Sequence, residues 1–296
     1  MTVRDSPAAE VDISPELVRS LLAAQHPDLA HLEITFLAQG WDNCQFRLGD
    51  RLIARLPRRK LAVRLIEHEQ VWLPHLAPLL PLPIPAPVRL GSPSELFPWP
   101  WSIVPWLQGR DALRSAVLDT RATGEQLGQF FNALHRPAPA DAPENLHRGI
   151  PLDHRAERDE AALVALTNQG VVPPMAIDVW RVALGSPPHD GPPLWLHGDP
   201  HAGNMIVQDG ALVSIIDWGD ITSGDPASDL IGFWMLLDEP GRQAGRAALD
   251  HGEDTWIRAK GWAVVFAGML LTNSADRPDY YDLGLRTIEE VIRSPG

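Results

Sequence analysis

Apolar and polar positions change period part-way along the chain. Between residues 32 and 57 the pattern is that of short strands: LEITFLAQG (32–40), NCQFRLG (43–49) and RLIARLP (51–57). The Gly49-Asp50 step between the last two suits a tight hairpin. Before them, Ser14-Pro15-Glu16 places an N-cap, a first-turn proline and a first-turn acid in order, predicting a helix to about Gln25. After them, LAVRLIEHEQVWLPHL (61–76) carries Leu61, Leu65, Ile66, Leu73 and Leu76 at helical spacing, with Pro74 expected to cut or kink the last turn. Residues 78–105 are proline-rich yet apolar and end in WSIVPW, a buried strand leading to a turn at Gln108-Gly109.

Beyond that turn helical spacing dominates, over 121–135, 153–168, 174–184, 226–238, 241–250, 254–272 and 279–293. Two short strands interrupt it, NMIVQ (204–208) and ALVSIID (211–217), joined by an Asp209-Gly210 hairpin turn. HRPAPADAPENLHRG (135–149) reads as a connector between helices. The pattern therefore predicts an α/β (α+β) protein with two lobes: residues 1–107, an antiparallel sheet with one main helix, and residues 108–296, mainly helical.

Composition narrows the function classes. The 296 residues are 45% hydrophobic and 21% charged, a globular balance, and contain a single cysteine, Cys44. One cysteine excludes an internal disulfide framework and suits a reducing compartment. The first residues, MTVRDSPAAEVDIS, lack the apolar stretch of a secretory signal, and no apolar run is long enough to span a bilayer. A cytoplasmic protein without membrane association is expected. With no exposed heptad or obvious apolar face, monomer is the default. Net charge is −13, of which residues 109–296 carry −12. An acidic second half disfavours a nucleic-acid partner, since phosphate backbones need a basic face, and suits a cationic small molecule.

Candidate chemistry concentrates in LWLHGDPHAGNMIV (194–207) and IIDWGD (215–220). Antiparallel pairing of the two strands brings Asn204, before the first, beside Asp217, at the end of the second. An amide oxygen and a carboxylate aimed at one point form half of a magnesium site, which phosphate oxygens would complete. Asp199, five residues before Asn204, is placed to accept a proton from an attacking hydroxyl. This combination suits phosphoryl transfer, in which positioning and metal charge provide most of the catalysis.

HGDPHAGN followed by IDWGD resembles the catalytic and metal-binding loops of the aminoglycoside phosphotransferase family, kin to choline kinases and protein kinases. His197, Asp199 and Asn204 reproduce the H-x-D-x-x-x-x-N spacing of protein kinases, and Asp217-Trp218-Gly219 stands where they have D-F-G. The resemblance implies a two-lobed protein-kinase-like fold that moves the γ-phosphoryl group of ATP or GTP, with Mg2+, to a small-molecule hydroxyl. It implies Asp199 as base or orienter, Asn204 and Asp217 as metal ligands, and Asp229 of GDPASDL (224–230) as an organiser of the loop. The phosphate-binding lysine of kinases is matched by Arg55, with Lys60 as the other candidate; its partner is Glu69 or Glu67. QGWDNCQF (39–46) has one glycine where kinases have several, and Gly40 with amides near Asp42 and Asn43 could cradle phosphates. The turn after WSIVPW, with Trp106 and Leu107, would carry the base. Acceptors in this family include aminoglycosides, macrolides, choline and homoserine, and the acidic second half favours an aminoglycoside-type amino sugar.

Rival readings use the same residues. His197-x-Asp199-x-His201 suggests a metal hydrolase, but zinc needs three or four converging ligands and no second histidine pair lies nearby. A pseudokinase or binding module that holds nucleotide without turnover is opposed by intact Asp199, Asn204 and Asp217, while Arg55 in place of lysine and the single-glycine loop speak for it. Both histidines read as loop scaffolding, and Trp41, Trp99, Trp101 and Trp106 as packing or pocket lining.

Overall fold

A computed structural model describes residues 8–40, 42–274 and 276–294. Helix α1 (Pro15–Gln25) begins as the sequence predicts, the Ser14 hydroxyl accepting from the Leu17 amide. Strands β1 (Ile34–Gln39), β2 (Asn43–Leu48) and β3 (Leu52–Pro57) follow, then α2 (Val63–Leu76), β4 (Arg89–Gly91) and β5 (Trp101–Pro105). They form an antiparallel sheet in the order β1-β2-β3-β5-β4. Strand β4 is the element the sequence does not announce: three residues after a run of prolines, paired with β5 from Arg89↔Ile103 to Gly91↔Trp101. Pro74 lies inside α2 without ending it. Placed in the final turn, it forfeits only one late backbone bond.

One buried cluster joins α1 to this sheet through Val18, Leu21, Leu22, Phe46, Leu56, Trp101 and Ile103. Trp101 is thus core, while Trp99 and Trp106 are half-buried and Trp41 lies outside the described residues.

The remainder is mainly helical. Strand β6 (Arg110–Asp111) precedes α3 (Thr120–Leu134), α4 (Ala156–Asn168) and α5 (Met175–Leu184). Strands β7 (Leu194–Leu196), β8 (Met205–Gln208), β9 (Ala211–Ile215) and β10 (Thr222–Gly224) come next, followed by α6 (Gly232–Leu236), α7 (Glu239–Ala247), α8 (Glu253–Asn273) and α9 (Pro278–Arg293). The β8–β9 hairpin turns at Asp209-Gly210, both at positive φ as a primed turn requires. β7 pairs with β10, and β6 with β8. These two- and three-residue strands carry too little period to be read from sequence.

The helix expected over 226–238 is instead a 3-10 segment, Pro226–Ile231, running into α6. A second buried cluster, built on Phe130, Phe131, Trp180, Trp218, Phe233 and Trp262, packs this half and takes in Leu73 and Leu76 of α2. Among the described residues no helix is long and apolar enough to cross a membrane.

Candidate active site

The hairpin mouth is built as its sequence predicts. Met205 faces Ile215 in register, and the Ile216 amide donates to the Asn204 carbonyl at 2.8 Å, so the segments bearing Asn204 and Asp217 run side by side. Asp217 adopts φ 62°, a left-handed conformation that a non-glycine residue holds only when its surroundings enforce it. Its neighbour Trp218 is fully buried and anchors the loop, with the indole N–H on the Ile215 carbonyl at 3.1 Å.

The Asp199 loop is fixed mainly through its backbone. Buried Asp229 accepts the His197 amide at 2.7 Å and the Gly198 amide at 2.8 Å on its two carboxylate oxygens. The His197 ring accepts the Asp199 amide at Nδ1 (3.1 Å), so Nε2 carries the proton and donates to the Ile216 carbonyl at 3.0 Å. That imidazole ties the Asp199 loop to the Asp217 loop. Gly198 has φ +88°, and a Cβ there would lie 2.2 Å from the Asp220 carbonyl oxygen, so only glycine fits between the two loops.

Around the Asp199 carboxylate stand Asn204 Nδ2 at 3.4 Å, His201 Nε2 at 3.5 Å and Arg148 Nη2 at 3.4 Å. Asn204 Nδ2 also donates to the Asp199 carbonyl at 2.9 Å, which leaves the amide oxygen for another partner. His201 has its basicity lowered, chiefly by burial, against the pull of Asp199 and Asp217. Its Nδ1 accepts the Gly203 amide at 3.0 Å, so the neutral ring turns Nε2–H toward Asp199.

On the sheet side, Arg55 of β3 and Glu69 of α2 pair as the sequence suggests. Both Glu69 oxygens lie 2.8 Å from Arg55 Nη1, whereas Glu67 and Lys60 are exposed. Arg55 Nη2 reaches Asp217 Oδ1 at 3.5 Å. Burial works to lower the Arg55 pKa, but the carboxylates of Glu69 and Asp217 outweigh it and raise it, so the guanidinium stays a cation. Burial pushes the Glu69 carboxyl up, opposed by Arg55 and reinforced by Asp217. Arg55 Nε is buried without a partner, an unmet donor at the head of the cleft.

The β1–β2 loop is tied down by arginines. Gly40 donates its amide to the Asn43 carbonyl at 2.9 Å and accepts from Arg58 Nη1 at 2.8 Å, while Asp42 Oδ1 takes both Arg59 Nε and Nη2. The Gly40 amide is therefore spent inside the turn. After β5, the Trp106 amide donates to the Arg51 carbonyl at 2.7 Å and its ring lies under Arg47. The Leu107 amide has no partner among the described residues.

A model described as the phosphotransferase enzyme family matches residues 33–263, more than half of the chain. The chain belongs to this family. No curated protein matches it in sequence. Solved structures share the fold at low identity. The GDP complex of aminoglycoside 2'-phosphotransferase-IIIa is 17% identical, with a TM-score of 0.70 over 95% of this chain and 99% of that one. Macrolide 2'-phosphotransferase MphH from Brachybacterium faecium is 16% identical, with a TM-score of 0.60 over 95% and 98%. An ADP-bound aminoglycoside phosphotransferase, APH(2'')-Ib, is 17% identical, with a TM-score of 0.59 over 94% and 99%.

In this phosphotransferase family member, several residues join the site from places the sequence reading passes over. Segment 143–149, read as a connector, folds against it: Thr222 Oγ1 donates to the Pro143 carbonyl (2.9 Å), Asn145 Nδ2 to Asp220 Oδ1 (2.7 Å), and the Gly149 amide to Ser228 Oγ (3.2 Å). Burial, then the neighbouring Asp199 carboxylate, push Asp220 up. No local signal marks Arg148, Asn145 or Asp220, because their meeting depends on contacts across more than 50 residues.

Asp229 also has a second sphere: His135 Nε2 lies 3.4 Å away, and His135 Nδ1 meets His251 Nε2 at 2.9 Å. Burial first, then His135, lower His251 from 6.5 to about 4. A histidine depressed in the folded state contributes stability above its unfolded pKa and loses it as pH falls toward the folded value. Between pH 6.5 and about 4 the protein is therefore expected to lose roughly 2–3 kcal/mol at this position, allowing for the ring's residual contact with solvent. Urea denaturation at pH 7.5 and 4.0 checks this; a pH-dependent loss of equal size in His251→Asn would refute it.

Proposed function

We propose that this protein transfers the γ-phosphoryl group of ATP or GTP to a hydroxyl of a small molecule, in a cleft between a nucleotide lobe (1–107) and a catalytic and acceptor lobe (108–296). The observation that carries the reading is the convergence of Asp199, Asn204, Asp217 and the Arg55–Glu69 pair from four separate segments. Each has the group its step needs. Asp199, held by its own backbone and flanked by three donors, orients the acceptor hydroxyl and takes its proton. Arg55, fixed by Glu69 and retaining an unmet Nε, holds nucleotide phosphates. The backbone after β5, with Trp106 and Leu107, receives the base. Asn43, the first residue of β2 and bonded to the Gly40 amide, closes over the phosphates.

The Asn204 amide oxygen and the Asp217 carboxylate are hard oxygen donors that would hold Mg2+, an ion that keeps its remaining positions for water and phosphate and needs few protein ligands. When bound, such an ion neutralises charge on the phosphates. A zinc hydrolase fits less well. The ring nitrogens of His197 are both engaged, and among the described residues no three His, Cys, Asp or Glu side chains converge as a metal site.

Two acceptor classes follow. The relatives bound to kanamycin and streptomycin, together with the acidic second half, support an aminoglycoside-type amino sugar. A neutral, more apolar alcohol of the macrolide kind is favoured by one specific feature. Arg114 bridges Asp111 and Asp279, and Arg148 sets a cation against Asp199 that repels an ammonium. A panel of aminoglycosides, macrolides and simple amino alcohols, assayed for nucleoside diphosphate release with ATP and with GTP, separates the two. Turnover is expected with at least one hydroxylated antibiotic class. Nucleotide binding without release for any acceptor would favour a binding module instead.

A further inference from the structure

Arg148 is held more loosely than the buried arginines that brace the helical lobe. Arg155 bonds Asp159 through Nε at 2.6 Å and the His147 carbonyl at 2.7 Å; Arg258 bonds Asp225 twice and the Pro187 carbonyl at 2.6 Å. Arg148 makes one long contact, Nη2 to Asp199 Oδ1 at 3.4 Å. Its side chain is 12% exposed, and its Nε is buried with no partner. A guanidinium carries five N–H donors. Leaving the buried Nε–H unmet is costly unless an acceptor takes it up.

The surroundings hold that guanidinium in place. Its carbon lies 5.0 Å above the Phe266 ring of α8, a cation–π contact that orients its plane. Its backbone is pinned on both sides: the His147 carbonyl accepts from Arg155, and the Gly149 carbonyl accepts from the Asp225 amide at 2.8 Å. Gly149 has φ +67°, and a Cβ there would come 2.6 Å from Leu196 Cδ1, so the chain passes close beneath the catalytic loop.

A hydroxyl oriented by Asp199 stands about 2.7 Å from the carboxylate and about 3 Å from the phosphorus it attacks. A guanidinium 3.4 Å from the same carboxylate is close enough for its unengaged N–H groups to meet oxygens of the group in flight. Building on the phosphotransfer reading above, we propose that Arg148 is a catalytic residue that binds the non-bridging oxygens of the transferring phosphoryl group from beside Asp199, as Arg55 stands beside Asp217. In the step it serves, the acceptor oxygen forms its bond to phosphorus while the bond from phosphorus to the bridging oxygen breaks. The nucleoside diphosphate leaves with that electron pair, and the hydroxyl proton passes to Asp199. Arg148 gains and loses no proton; it stabilises the charge spread over the three equatorial oxygens, as arginines supplied to other phosphoryl-transfer sites do, by 10³–10⁵-fold. As the phosphoryl group arrives, its oxygens replace the long Asp199 contact and free that carboxylate to take the proton.

The test compares wild type, Arg148→Ala and Arg148→Lys in binding ADP and GDP with magnesium, alone and with aluminium fluoride, a mimic of the planar phosphoryl group. Hydrolysis of ATP and GTP with water as acceptor is followed in parallel, so no acceptor need be known. Wild type is expected to bind its diphosphate at least about tenfold tighter with the fluoride. Arg148→Ala should lose that gain and slow hydrolysis by on the order of 10²-fold or more, with affinity for the diphosphate alone within about twofold. Should the alanine variant fail to fold, Arg148→Lys decides, because a lysine keeps the charge but not the planar fork and should lose most of the gain. A fluoride gain and hydrolysis rate equal to wild type in either folded variant overturn the assignment alone. A wild-type protein that binds no nucleotide overturns the phosphotransfer reading and this assignment with it.

Discussion

Asp199→Asn is expected to lower phosphoryl transfer by about 10²–10⁴-fold while leaving nucleotide affinity at the wild-type value. The reasoning rests on how the loop is held. The Asp199 amide donates to His197 Nδ1, and its carbonyl accepts from the His201 amide and Asn204 Nδ2, so the backbone path does not depend on the carboxylate. Asparagine matches the shape and can still accept from His201 Nε2. What it cannot do is take the acceptor's proton. Steady-state turnover on any acceptor from the panel, alongside diphosphate binding, measures both quantities. Turnover within a few-fold of wild type would remove Asp199 from the chemistry, and a parallel loss of binding would make its role structural.

Asp217→Asn should be equally damaging to activity but with a different signature. As the magnesium ligand proposed above, Asp217 would contribute several kcal/mol of charge stabilisation, so a loss on the order of 10³-fold is expected. Stability, by contrast, should be unchanged or slightly raised. Asparagine tolerates the left-handed φ of 62° at least as well as aspartate. Its neutral side chain also removes one of the carboxylates pushing Glu69 up. Arg55 keeps its pair with Glu69 on both oxygens. Urea denaturation and turnover, measured on one preparation, test the dissociation. A variant that retains transfer within tenfold of wild type would take Asp217 out of the metal site.

The family, the fold and the relations within the hairpin are legible in the sequence because local rules encode them. The Asp209-Gly210 turn fixes the pairing that sets Asn204 beside the Asp217 segment. Arg55 is reached only through the family resemblance, and the choice between Glu69 and Glu67 stays open until the structure buries Glu69 against Arg55 and leaves Glu67 exposed. Between Arg55 and Lys60 the sequence does not choose; the structure buries Arg55 against Glu69 and leaves Lys60 exposed. Strands β4, β7 and β10 escape notice because three residues cannot display a period. The extended 3-10 winding at 226–231 escapes for another reason: Asp229 has to reach two amides of the catalytic loop, and that long-range demand overrides local helix preference. Arg148 is hidden most completely. It sits in a proline-rich connector whose shape is set by Ser228, Thr222, Asp220 and Arg155, none adjacent in sequence.

With Arg55 as the proposed phosphate ligand, an arginine where kinases carry a lysine also sets what reagents can report on this site. Nucleotide analogues carrying aldehydes or activated acyl groups label kinases by reacting with a primary amine, a group a guanidinium does not offer. The chain has two lysines: Lys60 is exposed at the end of β3, and Lys260 lies on α8 with Nζ on the Ser294 carbonyl. A lysine-directed probe that spares the protein thus says nothing against nucleotide occupancy. One that modifies Lys60 reports how far that flexible stem swings toward the cleft.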